Sequence, residues 1–143
     1  MKYYIIAGEA SGDLHGANLM RALYNENPNA IIRFWGGDLM QHTGGTLVSH
    51  YKERAFMGFL EVVMNLFKVL SFIKLAKKDI AQFQPDVIIF IDNSGFNLRV
   101  AKWAKKQGFK EVFLPKENVE EGALIDGVKV YGINSLKEVI EHL

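Results

Sequence analysis

The sequence contains no cysteine, which excludes disulfide staples, thiolate zinc sites and cysteine nucleophiles. Proline is scarce: residues 28, 85 and 115 are the only three, so most of the chain is free to run as helix or strand. Neither charge sign dominates. Seventeen Lys+Arg against sixteen Asp+Glu leave a formal +1, so no nucleic-acid partner is expected and there is no acidic tail. The four histidines (15, 42, 50 and 142) show no i, i+4 pairing, and neither a metal nor a cofactor is expected. No repeat, low-complexity tract or linker appears. What is present is a hydrophobic share of 49% over 143 residues, enough core for one domain spanning 1–143.

The N-terminus enters Tyr3-Tyr4-Ile5-Ile6-Ala7 at once and then meets Glu9 and Asp13. That apolar run is too short for a signal peptide, so a cytoplasmic location is expected. Ala55–Ile73 approaches the roughly 20 residues of a membrane span. Its polar positions, however, form one helical stripe: Glu61, Asn65, Lys68, Ser71 and Lys74. A charged stripe at mid-bilayer is costly and argues against a span. Two readings stay open. The helix is buried over most of its circumference, or it keeps one apolar side for a membrane surface or a partner.

Strand and helix patterns alternate along the chain. Tyr3–Ala7 reads as a strand, Gly8–Gly12 as a turn, and Leu14–Glu26 as a helix that stops at Asn27-Pro28. Ile31–Trp35 and Thr46–Ser49 read as strands, with Gly36-Gly37 and Gly44-Gly45 as breaks. A long helix is expected from about Gly58 to Gln84, where Pro85 ends it. Val87–Ile91 is continuously apolar, as a strand covered on both faces should be. Phe96–Gln107 reads as a helix capped by Gly108. Val112–Leu114 and Val128–Tyr131 read as the last strands. Asn118 with Glu121 and Ser135 with Glu138 have capping-box spacing and open two short helices. The pattern predicts an α/β fold: a doubly wound, mostly parallel Rossmann-like sheet of about six strands in three layers.

Ligands of such sheets bind beyond the carboxyl ends of the strands, where strand order reverses. Two loops fall there. Gly8-Glu9-Ala10-Ser11-Gly12-Asp13 matches neither a dinucleotide fingerprint nor a phosphate loop. It is glycine-rich and leads into a helix N-terminus, which suits an anion or a sugar hydroxyl. The alternative is that Ser11 or Asp13 is an N-cap and Glu9 a solvated charge. The second loop is Asp92-Asn93-Ser94-Gly95-Phe96-Asn97. Asp92, at the tip of an apolar strand, is placed either as a general base or as a helix cap. Asn93 and Asn97 could orient a polyhydroxyl ligand. Gly36-Gly37-Asp38 is a third rim element or only a turn. His15 reads as a surface histidine or a ligand contact. Trp35 and Trp103 read as core or half-buried packing residues.

Four ordered motifs carry a resemblance. Ala7-Gly8-Glu9-Ala10-Ser11-Gly12-Asp13, Gly36-Gly37, Met57-Gly58-Phe59-Leu60-Glu61-Val62, and Pro85-Asp86-Val87 through Ile91-Asp92 with Phe96-Asn97 resemble the N-terminal half of lipid-A-disaccharide synthase. That family consists of two-domain GT-B glycosyltransferases. The resemblance covers about residues 1–110. It implies transfer of diacylglucosamine from UDP to a diacylglucosamine 1-phosphate, with the N-terminal half holding the acylated acceptor. Asp92 would then be the general base, vestigial if turnover is lost. Glu9, Ser11, Gly12, Asp13 and Asn97 would line the acceptor site. Phe59, Val63, Leu66, Phe67 and Leu70 would face acyl chains or the inner membrane, to which the family is peripheral.

The departures matter as well. Asn93-Ser94 stands where the family carries a proline-containing pair. From Val112 onward, Leu114-Pro115-Lys116-Glu117-Asn118 to Leu143 resembles the tail of the Lon-type protease domain and its magnesium-chelatase-like ATPase relatives. The junction implies an engineered chimera: residues 1–110 from a glycosyltransferase, and 111–143 as a strand–helix–strand–helix that closes the domain. Glycosyl transfer needs donor and acceptor held face to face. The expectation is therefore a Rossmann-like domain without turnover. The alternative is an active or partly active glycosyltransferase of lipid A biosynthesis. A third expectation is a scaffold that self-associates through its apolar helix.

Overall fold

The computed structural model describes residues 1–53, 66–91, 95–109, 111–115 and 129–133, the last two segments as backbone. In chain order, the elements begin with β1 (Lys2–Ala7), α1 (Ala10–Glu26), β2 (Ile31–Gly36), α2 (Asp38–Thr43) and β3 (Thr46–His50), followed by a 3-10 turn at Tyr51–Glu53. After these come α3 (Leu66–Phe83), β4 (Val87–Ile91), α4 (Gly95–Lys106), β5 (Glu111–Pro115) and β6 (Lys129–Ile133). The four strands β1–β4 form a parallel sheet in the order β3-β2-β1-β4. Beyond β4, β5 pairs in parallel through Ile89 and Phe113, and β6 pairs in parallel with β5. The fold is α/β and Rossmann-like.

Alternation along β1 assigns the two faces. Tyr3, Ile5 and Ala7 pack with Ala17, Leu19, Met20, Leu23 and Met40 of α1 and α2. Tyr4 and Ile6 pack with Ala76 and Ile80 of α3 and with Val100, Ala101 and Ala104 of α4. Both faces of β1 are covered, which is why its sequence is apolar at successive positions. Trp35 is fully buried among Phe72 and Phe96, whereas Trp103 is half-buried, as expected.

One expectation needs correction, and two open readings are narrowed. The Gly8–Gly12 turn is shorter than expected, because α1 begins at Ala10 with Glu9 as its N-cap residue. Gly36-Gly37-Asp38, read as a third rim element or only a turn, leads into a helix, α2, whose N-terminal amides find an acceptor in α1. The described part of the long helix is not buried over most of its circumference. Only Ile73, Ala76 and Ile80 are buried in α3, and Leu66, Phe67, Leu70 and Leu75 are exposed. The expected positions 58–65 of that helix and the two short C-terminal helices lie outside the described residues.

The element ends follow local chemistry. α3 stops where Gln84 takes a left-handed conformation, φ 50°, ahead of Pro85. α4 is followed by Gly108 at φ 97°, the conformation for which a terminal glycine is suited. No helix among the described residues is long and apolar enough to cross a membrane.

Candidate functional site

β1 and β4 end side by side, with Ala7 opposite Ile91. The connections from β1 and from β3 leave in opposite directions across the sheet, so this pair of ends is the switch point of strand order. The Gly8-Glu9 loop continues from one strand. Asp92, which follows the other, lies outside the described residues, as do Asn93, Ser94, Phe59 and Val63. Asn97 is buried and donates from Nδ2 to the carbonyl of Ile91 at 3.3 Å, which ties α4 to the tip of β4.

Glu9 and Ser11 are exposed on this rim, and Ser11 Oγ donates to Glu9 Oε1 at 2.6 Å. Gly12 is buried within α1. Asp13 faces inward. Its carboxylate is 3% exposed and accepts three backbone N–H bonds. Oδ1 takes those of Gly37 at 2.7 Å and Met40 at 3.1 Å, and Oδ2 takes that of Leu39 at 3.0 Å. Asp13 thus caps a neighbouring helix, not its own, and supplies the acceptor that the α2 amides require. His15 is exposed on α1.

The close fit of α1, α2 and the end of β2 depends on glycine. A Cβ on Gly16 would sit 2.5 Å from Met40 Sδ. A Cβ on Gly37 would sit 2.7 Å from Asp13 Oδ2 and would also enter the Tyr51 ring.

Two polar groups were not foreseen from the sequence as groups, although Asp38 was named within a candidate rim element. On the rim, Asp38 accepts from Lys52 Nζ at 2.9 Å and lies 3.4 Å from His50 Nε2. The Lys52 backbone N–H donates to His50 Nδ1 at 3.1 Å, which makes Nε2 the ring's donor toward Asp38. The Lys52 hydrogen bond, followed by that of His50, holds the Asp38 carboxyl below its ordinary range. The same bond to Asp38 raises the Lys52 ammonium. On the opposite side of the sheet, Trp35 Nε1 donates to Tyr4 Oη at 2.8 Å, and Tyr4 Oη donates to Asp79 Oδ2 at 2.8 Å. Arg33 closes a fork on Asp79, with Nε at 3.0 Å and Nη2 at 2.6 Å. Burial pushes the Tyr4 phenol well above its ordinary value, so it stays a neutral relay. One signal could have found this group. Arg33 interrupts the apolar strand Ile31–Trp35, and a charge in a covered strand needs a partner. Among the described residues no cluster could hold a metal ion.

The family profile described as Lipid-A-disaccharide synthetase matches residues 3–114. The chain belongs to the lipid-A-disaccharide synthetase family. The lipid-A-disaccharide synthase of Coxiella burnetii (strain Dugway 5J108-111) is 31% identical over 140 residues, covering 97% of this chain and 35% of the relative. That of Xanthomonas oryzae pv. oryzae (strain MAFF 311018) is 39% identical over 111 residues, covering 78% and 26%. That of Gluconobacter oxydans (strain 621H) is 37% identical over 109 residues, covering 76% and 26%. The chain therefore spans about a third or less of the length of these synthases. Within the family match lie Glu9 and Ser11 at the start of α1, the Asp13–α2 cap and the ends of β1 and β4.

Proposed function

We propose that this chain forms the acceptor side of a lipid-A-disaccharide synthase. It would hold an acylated glucosamine 1-phosphate at the switch point between β1 and β4. The observation that carries this reading is the adjacency of the two strand ends, Ala7 opposite Ile91, inside the region that matches the family. Glu9 and Ser11 supply exposed polar groups there, and Asn97 holds the tip of β4. Asp92 is the proposed general base. It would take the proton of the acceptor hydroxyl as that oxygen bonds to the anomeric carbon of the donor sugar, and the bond to UDP breaks. Leu66, Phe67 and Leu70, exposed at the start of α3, are proposed to meet acyl chains or the membrane surface, together with Phe59 and Val63. Self-association through the same face would compete with that contact.

We treat 1–143 as one Rossmann-like unit of about six strands, supported by the parallel pairing of β5 and β6. A polypeptide of these residues alone is expected to bind acceptor without turnover, because transfer needs donor and acceptor held face to face. A chimeric origin belongs to the same proposal. In its favour, the family match stops at residue 114, close to the expected junction. Against it, the Coxiella alignment runs over 97% of the chain. A natural gene encoding both parts and continuing into a donor domain would remove its basis.

Calorimetric titration with diacylglucosamine 1-phosphate tests the acceptor reading, and absence of heat at near-millimolar protein would overturn it. Disaccharide formation from UDP-diacylglucosamine and acceptor would instead establish the active alternative.

A further inference from the structure

Asp13 belongs to the motif that the family resemblance puts at the acceptor, yet it lies in the first turn of α1 and its carboxylate points into the protein. Both oxygens accept backbone N–H bonds from Gly37, Leu39 and Met40. Those amides belong to the first turn of α2 and its N-cap residue, and the turn carries Asp38. Asp38 in turn binds Lys52 and His50, which follow and end β3. Tyr51, between them, lies against Gly37, whose missing side chain leaves room for both the ring and Asp13 Oδ2. The first turn of α1, the end of β2 and the end of β3 are thereby joined through one buried carboxylate.

We propose that Asp13 is a positioning residue. It clasps the Gly37–Met40 backbone and so fixes the cluster of Asp38, Lys52 and the half-buried His50 relative to the Glu9–Ser11 rim. Three donors around one carboxylate determine its orientation more tightly than a single cap bond would. The close glycine contacts leave little slack for α2 to shift and re-form those bonds elsewhere. A change at Asp13 should therefore be read at His50, although the two side chains share no hydrogen bond. The consequence for ligand binding rests on the acceptor reading proposed above. The clasp itself does not.

The test uses the 15N-labelled chain as wild type, Asp13→Asn and Asp38→Asn. In the wild type, the amides of Gly37, Leu39 and Met40 should exchange slowly. Asn can still accept through one oxygen, but its amide nitrogen cannot accept the Leu39 N–H. In Asp13→Asn, the Leu39 amide should therefore exchange roughly ten- to hundredfold faster. At one fixed pH, the His50 ring resonances should also move toward those of Asp38→Asn, because the ring lies 3.4 Å from the Asp38 carboxylate. His50 ring resonances that keep their wild-type positions while the Leu39 amide changes would reduce Asp13 to a local cap and overturn the proposal. Rapid wild-type exchange at Leu39 would overturn it too. If Asp13→Asn does not fold, Gly37→Ala probes the coupling from the other side. The His50 ring resonances should move there as well, and unmoved resonances again defeat the clasp.

Titration with diacylglucosamine 1-phosphate completes the comparison. The wild type should bind about tenfold more tightly than Asp13→Asn. Equal affinities would overturn the role in binding. No wild-type binding would remove the acceptor reading, leaving the His50 comparison to decide the clasp.

Discussion

The indole N–H of Trp35 donates to the phenol oxygen of Tyr4 at 2.8 Å, and the phenol O–H donates in turn to Asp79 Oδ2 at 2.8 Å. This relay crosses from β2 to β1 and on to α3, ending at the Arg33 fork. It satisfies the buried indole N–H and anchors α3, which carries the exposed Leu66, Phe67 and Leu70. The ring of Phe83 meanwhile lies under both Lys2 Nζ and the Arg33 guanidinium, at 5.3 and 5.6 Å.

Tyr4→Phe should cost about 1–3 kcal/mol, because the Trp35 N–H loses its acceptor in a dry site. Urea denaturation measures the loss. Trp35→Phe in the same background should cost less than it does alone, since the orphaned donor has gone. Additive costs would mean that the bond contributes nothing.

Asp13→Ala should destabilise by about 2–4 kcal/mol, as three α2-end amides lose a buried acceptor and regain only part of their bonding from water. Glu9→Gln, on the exposed rim, should stay within about 0.5 kcal/mol of the wild type. Equal losses for the two variants would contradict the difference in burial.

The Asp38–Lys52 pair has two pH limits. The Asp38 value is depressed below 3.8, so its contribution is present above that pH and is lost as pH falls through the depressed value. The Lys52 value is raised above 10.5, so its contribution is present below that pH and is lost as pH rises through the raised value. In Lys52→Gln, the Asp38 midpoint followed by carboxyl 13C shifts should climb toward 3.8. High salt should have the same effect on this exposed pair.

Phe67 is 80% exposed, so Phe67→Ser should leave stability within about 0.5 kcal/mol. It should nevertheless weaken binding to phosphatidylglycerol-containing vesicles in a sedimentation assay. Unchanged partitioning would count against the proposed membrane face.

Much of the fold was legible because it rests on local signals. Apolar runs with a period of two or none gave β1, β2 and β4, and Pro85 and Gly108 marked the ends of α3 and α4. The start of α1 was misplaced because Ser11, Gly12 and Asp13 read as turn residues. Their turn propensity is overridden once Asp13 has a partner far along the chain. α2 was missed for the same reason: two glycines and an aspartate signal a turn unless something accepts the amides that follow. The apolar excess at Leu66–Leu70 was visible, and the structure shows it exposed.

By itself, the sequence determined the alternation of strands and helices, the absence of thiol chemistry, the ordered motifs of the family and the residues that flank the switch point. Hydropathy and turn chemistry act over a few neighbours, so they can be read along the chain. Only the tertiary structure decided that Asp13 faces the protein interior, that Ala7 and Ile91 end side by side, and that Arg33 meets Asp79. These pairings join residues distant in sequence. Which partner a buried carboxylate or guanidinium finds is set by how helices pack on the sheet, not by its neighbours in the chain.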